Sequence, residues 1–235
     1  MAGLPGEVGI SRLRVYDWMA ADGLRGGSPH LHTACTEGYV VLQGKGSVQT
    51  LSSAGHGEQD LVEGTVLWFT PGTVHRLVNA SGDLELLVVM QNSGLPEAGD
   101  AVLTFPPAVL ADPAAYATAA AAHDVDTARA RRDLALAGFT ALCRQVETGG
   151  PAALGDLYAQ AARLVAPRAA DWREVWRAGP AAQSERTAAQ LAALAAGDPA
   201  HLAEAELFVA DAVPGERFGM CGRLSGWDLD GAHPA

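Results

Sequence analysis

Up to about residue 110 the chain is written in short apolar runs. YVVLQG, SVQTL, TVLWFT, HRLVN and LELLVVMQN are rich in Val, Leu and aromatic residues and predict strands. Turn residues separate them: GKG at 44–46, Glu63-Gly64, Pro71-Gly72 and SGD at 81–83. Several short strands with regular turns predict an all-β sandwich or barrel. From about Pro113 to Ala196 the pattern changes to Ala, Leu, Arg and Glu, with apolar positions at helical spacing. Helices are predicted over 114–122, 126–147, 152–165 and 184–195, with Leu134, Phe139 and Leu142 on the buried side of the second. Gly149-Gly150-Pro151, Pro167 and Gly179-Pro180 are expected to break them. Trp172 and Trp176 are four apart, which gives them one helix face as packing anchors. In the tail, AELFVADAV and RFGMCGRL flank Pro214-Gly215 and predict an edge hairpin that returns to the β-region. The expected organisation is a β-barrel over 1–110, a helical extension over 111–200 and a tail over 201–235.

Charge narrows the function classes. The 235 residues carry a formal net charge of -11. Nucleic acid is excluded as a partner, because phosphate binding needs clustered Lys and Arg. An anionic membrane surface is excluded for the same reason. No apolar stretch reaches the roughly 18 residues of a membrane span. The N-terminal MAGLPGEVGISRLRVYDW has no basic flank followed by an apolar run, so no signal peptide is expected. Cys35, Cys143 and Cys221 lack CxxC spacing, which suits free thiols in a reducing, cytoplasmic compartment.

Candidate chemistry lies in PHLHTACTEGYVVLQGKG. His30 and His32 are two apart, so on a strand both imidazoles face one side. Glu37 follows His32 by five, an odd offset, so a bend or bulge over 33–36 is needed to bring it to that side. Glu37, Tyr39 and Val41 then line the same interior. In TPGTVHRLVN, Pro71-Gly72 makes a tight turn and His75 opens the next strand. Three imidazoles and one carboxylate suit one first-row divalent transition metal, Fe, Mn, Co, Ni, Cu or Zn, among which ligand type alone does not choose. Four protein ligands on an octahedral ion leave two open positions. Glu37 acting as a general base is the other reading of that residue. Tyr39, Val41, Leu77 and Trp68 are expected as pocket walls, and Tyr39 is the candidate catalytic residue, as an acid or hydrogen-bond donor. Arg76 alternates with His75 and is expected to point outward. Asn79 is expected to satisfy backbone groups of the next bend. Gln91 is a further pocket candidate of unfixed parity.

These residues resemble the cupin superfamily, whose motifs are HxHx(3-4)Ex(6)G and PxGx(2)Hx(3)N. The first is met by His30, His32, Glu37 and Gly44, and the second by Gly72, His75 and Asn79, with Gly64 ahead of it. Residues 45–63, nineteen in all, separate the motifs. Leu24 stands where a glycine is expected, and Thr70 where a proline is. The resemblance covers roughly 10–110. It implies a mainly β fold, a cupin jelly-roll β-barrel followed here by the helical extension. It also implies one metal on the four residues and a homodimer paired through edge strands. Such proteins include dioxygenases, decarboxylases, isomerases, lyases and binding modules. The expectation is a mononuclear non-haem oxygenase or dioxygenase acting on a small organic molecule. The alternatives are a sugar or sugar-phosphate isomerase or epimerase, and a non-catalytic binding cupin. Few cations on the predicted strands, with Lys45 in a turn, lower the phosphate reading.

Overall fold

The computed structural model describes residues 3–229 and 231–234. The apolar runs pair into two antiparallel sheets that face each other as a jelly roll. One sheet has six strands in the order β11 (Arg217–Phe218), β12 (Gly222–Gly226), β1 (Gly9–Val15), β8 (Glu85–Met90), β3 (Glu37–Gln43) and β6 (Val66–Phe69). The other has β5 (Gly55–Val62), β4 (Lys45–Ser52), β7 (Val74–Asn79), β2 (His30–His32) and β9 (Ala101–Leu103). Strand alternation sends Tyr39, Val41, Leu86 and Val88 inward from the first sheet and Val48, Leu77 and His75 inward from the second. All seven are at most 5% exposed. Each buried aliphatic side chain contributes roughly 1.5–3 kcal/mol of transfer free energy, which makes this interior the main source of barrel stability.

The turns fall where glycine and proline put them. Gly44 has φ of 80°, and a Cβ there would sit 2.8 Å from the Leu84 backbone, so only glycine passes between β3 and β4. β5 lies in a stretch that sequence reading left between strands. Its residues GHGEQDLV are polar because it is an outer edge strand, with Leu61 alone buried.

Helices follow: α1 (Pro107–Leu110), α2 (Pro113–Ala120), α3 (Val125–Gly149), α4 (Gly155–Val165), α5 (Ala169–Trp176) and α6 (Ala182–Ala195). Asp124 caps α3, accepting from Thr127 N at 2.8 Å while Thr127 Oγ1 accepts from Asp124 N. Gly150, at φ 71°, ends it before Pro151. The buried stripe of α3 is Ala128, Arg131, Arg132, Ala135, Leu136, Gly138, Phe139 and Val146, so the expected Leu134 and Leu142 sit at its margin. Gly179-Pro180 does not break the chain's helical course. A single π turn, Arg177–Ala181, takes up Pro180 between α5 and α6. Trp172 is buried and donates to the Ala98 carbonyl at 3.2 Å, whereas Trp176 is half exposed.

The helices lie on the outer face of the five-stranded sheet. His75 faces inward, so its neighbours Val74 and Arg76 face outward, as do Leu31, Leu51 and Val102. Each of these five is at most 2% exposed. The apolar four share one continuous core with Leu136, Phe139, Leu154 and Leu157 of the helical region. Arg76 therefore points away from the barrel interior as expected, but into protein, where it pairs with Asp22. Gly138 marks the closest approach, since a Cβ there would lie 1.9 Å from the Thr104 carbonyl oxygen.

The tail returns to the barrel in a different register from the expected one. β12 pairs with β1, and β11 folds back on β12, so the hairpin turns at 219–221 rather than at Pro214-Gly215. β10 (Phe208–Val209) pairs instead with β13 (His233–Pro234). Among the described residues no helix is long and apolar enough to cross a membrane.

Candidate metal centre

The four motif residues meet inside the barrel. His30, His32, Glu37 and His75 are all buried, and one donor atom from each lies within 4.8 Å of the others. β2 carries His30 and His32, and β7 pairs with it so that His30 stands opposite His75. Glu37 opens β3 on the facing sheet. The odd offset between His32 and Glu37 is thus resolved by the chain crossing from one sheet to the other over 33–36, not by a bulge within one strand.

Asp100 builds that crossing, and sequence reading missed it. It is fully buried and accepts from Thr33 N at 3.0 Å, Ala34 N at 2.7 Å, Cys35 N at 3.1 Å and Thr33 Oγ1 at 2.6 Å. Its Oδ2 also stands 3.1 Å from His32 Nδ1. No motif spacing singles out Asp100, which follows Gly99 just before β9; its sequence context is that of a turn aspartate. Its hydrogen bonds hold its carboxyl down at about 2, against a burial that pushes the other way.

The remaining Nδ1 atoms are fixed in the same manner. His30 Nδ1 faces the Ser28 carbonyl at 3.0 Å and His75 Nδ1 faces the Thr73 carbonyl at 3.1 Å. Carbonyl and carboxylate oxygens only accept, so each Nδ1 carries the hydrogen and each Nε2 turns a lone pair to the centre. Glu37 Oε2 lies 3.2 Å from His32 Nε2 and 3.1 Å from His75 Nε2. Neither Glu37 Oε2 nor His75 Nε2 has a hydrogen-bond partner among the described residues.

Lone pairs facing one another at these distances require a cation between them. A proton meets part of that need. Burial opposes a charged His32, yet Glu37 and Asp100 outweigh it and lift its pKa to about 9. Burial likewise opposes a charged Glu37, but His32 and His75 hold its carboxyl well below the usual range. His30 moves the other way, since burial and then the neighbouring imidazoles keep it neutral. A proton between His32 and Glu37 joins only those two groups; a divalent ion would engage all four donors at once. The donor set fits a first-row transition metal.

The surroundings are mostly apolar. Phe69 lies 4.2 Å from the His75 ring and 5.4 Å, edge-on, from Tyr39. It pairs with Glu37 across β3 and β6 and so faces inward. Trp68, expected as a wall, is its neighbour and faces out at 71% exposure. Tyr39 is 1% exposed, and its hydroxyl has no hydrogen-bond partner among the described residues. Burial and then the Glu37 charge raise its pKa well above the ordinary value, which keeps the hydroxyl protonated. Val41 and Leu77 are buried in the same interior. Gln91 is exposed, and its Oε1 accepts from Thr36 N, so it does not enter the site. Asn79 donates to the Val15 carbonyl and accepts from Gly82 N and Leu84 N, closing the bend after β7.

Residues 19–90 match the family described as Cupin domain. No curated protein matches the chain. Among solved structures it is similar to KdgF from Halomonas sp., at 21% identity over 28% of this chain and 57% of that one, with a TM-score of 0.26. A cupin protein from Bacteroides fragilis matches at 23% identity over 37% of this chain and 65% of that one, with a TM-score of 0.27. A putative sugar phosphate isomerase from Acidithiobacillus ferrooxidans matches at 23% identity over 36% of this chain and 50% of that one, with a TM-score of 0.29. The chain thus spans between half and two thirds of the length of these three structures. The matched segment, 19–90, lies within the jelly-roll barrel and holds all four inward residues, so this part of the chain carries a cupin domain.

Proposed function

We propose that His30, His32, Glu37 and His75 hold one divalent transition metal, and that the protein is a mononuclear non-haem oxygenase or dioxygenase of a small, uncharged organic molecule. The observation that carries this reading is the convergence of one donor atom from each of His30, His32, Glu37 and His75 within 4.8 Å of one another in a buried interior. A metal on that set, iron first, supplies Lewis acidity and, where redox-active, electrons for dioxygen chemistry. The chain's own residues do the rest. Asp100 and the Ser28 and Thr73 carbonyls fix the three rings. Phe69, Val41 and Leu77 exclude water from the interior. Tyr39 offers a protonated hydroxyl to a substrate oxygen, as a hydrogen-bond donor or acid.

Charge favours a neutral substrate over a sugar phosphate. The groups that set the ionisation of His30, His32 and Glu37 are chiefly one another, with Asp100 beside them. The buried arginines are engaged elsewhere: Arg76 with Asp22, Arg131 with the Gly219 carbonyl, Arg132 with the Trp18 and Met19 carbonyls. A phosphate would find no buried guanidinium to pair with. Anaerobic loading with Fe(II), followed by oxygen-uptake measurements on a panel of small organic molecules, tests the reading. Metal-dependent oxygen consumption with at least one neutral compound is expected. Tight metal binding with no oxygen use, but turnover of a phosphorylated sugar, would overturn the oxygenase reading in favour of the isomerase one.

A further inference from the structure

The segment that leads into β2 does not rest on the barrel alone. Ser28 N donates to the Met220 carbonyl at 2.9 Å. Gly27 lies so close to the tail that a Cβ on it would fall 2.4 Å from Cys221 Cα. The other side of the tail is tied to the end of β1: Tyr16 N donates to the Cys221 carbonyl at 3.1 Å and Tyr16 Oη to the Gly219 carbonyl at 2.8 Å. Arg131 of α3 donates to that same Gly219 carbonyl. Residues 219–222 are therefore wedged between the end of β1 and the approach to His30.

The wedge reaches the imidazole itself. Cys221 Sγ lies 3.9 Å from His30 Nδ1 and 3.8 Å from the Ser28 carbonyl oxygen, which is the acceptor for His30 Nδ1. The sulfur is on the Nδ1 side of the ring, behind the atom that faces the centre, and it is not one of the four convergent donors. Burial pushes the thiol up to about 12, so it stands there uncharged. A ring held by one hydrogen bond can pivot about it; packing against its back removes that freedom, and donor atoms must be held within about 0.5 Å to bind a metal well.

We infer that the C-terminal hairpin is a working part of the metal centre, with Cys221 a positioning residue that backs His30 and the Met220 carbonyl anchoring the N–H of Ser28, the residue whose carbonyl orients that ring. This rests on the metal reading above. Sequence distance hides the relation, since Cys221 and His30 are 191 residues apart.

The test compares Cys221→Ala, Cys221→Ser and Tyr16→Phe with Leu154→Ala, a core truncation in the helical region whose side chain is not part of the centre. Co(II) affinity is measured by chelator competition, with the visible absorption bands of bound Co(II). The His30 ring cross-peak is followed by NMR in metal-free protein. Cys221→Ala is expected to weaken Co(II) about tenfold and to shift the bands, as loss of a supporting contact behind a ligand does. It should also move the His30 cross-peak while leaving that of His75 in place. Cys221→Ser should recover most of the affinity, and Tyr16→Phe should move the same signals less. Leu154→Ala should lower thermal stability with Co(II) affinity within about twofold of the parent protein. Parent-like Co(II) binding and an unmoved His30 cross-peak in Cys221→Ala, or an equal loss of affinity in Leu154→Ala, would overturn the inference. A parent protein that binds no metal would overturn the metal reading instead. The metal-free cross-peak would then still decide whether Cys221 positions His30.

Discussion

The two sheets of the barrel treat their outer faces in opposite ways. On the five-stranded sheet, Leu31, Leu51, Val74 and Val102 are sealed under the helices. On the six-stranded sheet, Leu42, Val66 and Trp68 stand in the open at 41%, 62% and 71% exposure. Both faces carry apolar side chains, although on the second they stand beside Arg12, Arg14 and Glu85. The difference comes from the helical region, and it assigns that region a role in stability on one side only. Strands β2 and β7 belong to the covered sheet, so the helices pack behind the strands that present three of the four convergent residues.

The largest effect should come from removing the cover. Ending the chain after Leu110 would bare the outer face of the five-stranded sheet and take away β12. The truncated barrel should aggregate or lose its cooperative melt, and a soluble barrel with a sharp transition would break the comparison. Leu154→Ala, beneath the helices, should cost about 2–4 kcal/mol in a urea melt. Gly138→Ala should cost about 1–3 kcal/mol, because its new methyl meets the Thr104 backbone, which has little room to give. Asp100→Asn sharpens the link from cover to centre: metal affinity should fall about 10–100-fold, with smaller change in the global melt. The bare face gives the smallest effect. Trp68→Ser should change stability by no more than about 0.5 kcal/mol in dilute protein. A larger loss that grows with protein concentration would show that a second copy covers this face, as expected for a homodimer.

The sequence made the centre legible to a large degree because its donors are a short-range pattern. His30 and His32 follow from strand alternation, and Gly44 and Gly72 mark turns that glycine alone fills. Parity failed at Trp68 and Phe69, where one residue of register decides which aromatic enters the barrel, and a four-residue strand fixes no register by itself. β5 was missed because an edge strand with one buried residue has no apolar period to detect. Arg76 was placed on the correct side of its strand, but what lay over that side could not be read from alternation. Asp100 and Cys221 were invisible as supports. Each works through tertiary contacts, with partners 65 or more residues away.

The tail's wedge also sets an order of events during synthesis. All four convergent residues lie within the first 75 positions, while Asp100 and then Met220 and Cys221 follow. At about 5–20 residues per second, the interval between His75 and Cys221 lasts on the order of 10–30 s. Over that time the nascent chain carries its four candidate ligands without the parts proposed to aim them. Selective metal capture would therefore be an act of the finished molecule, and a growing chain would pass through the cell's metal pool as a weak, unselective chelator.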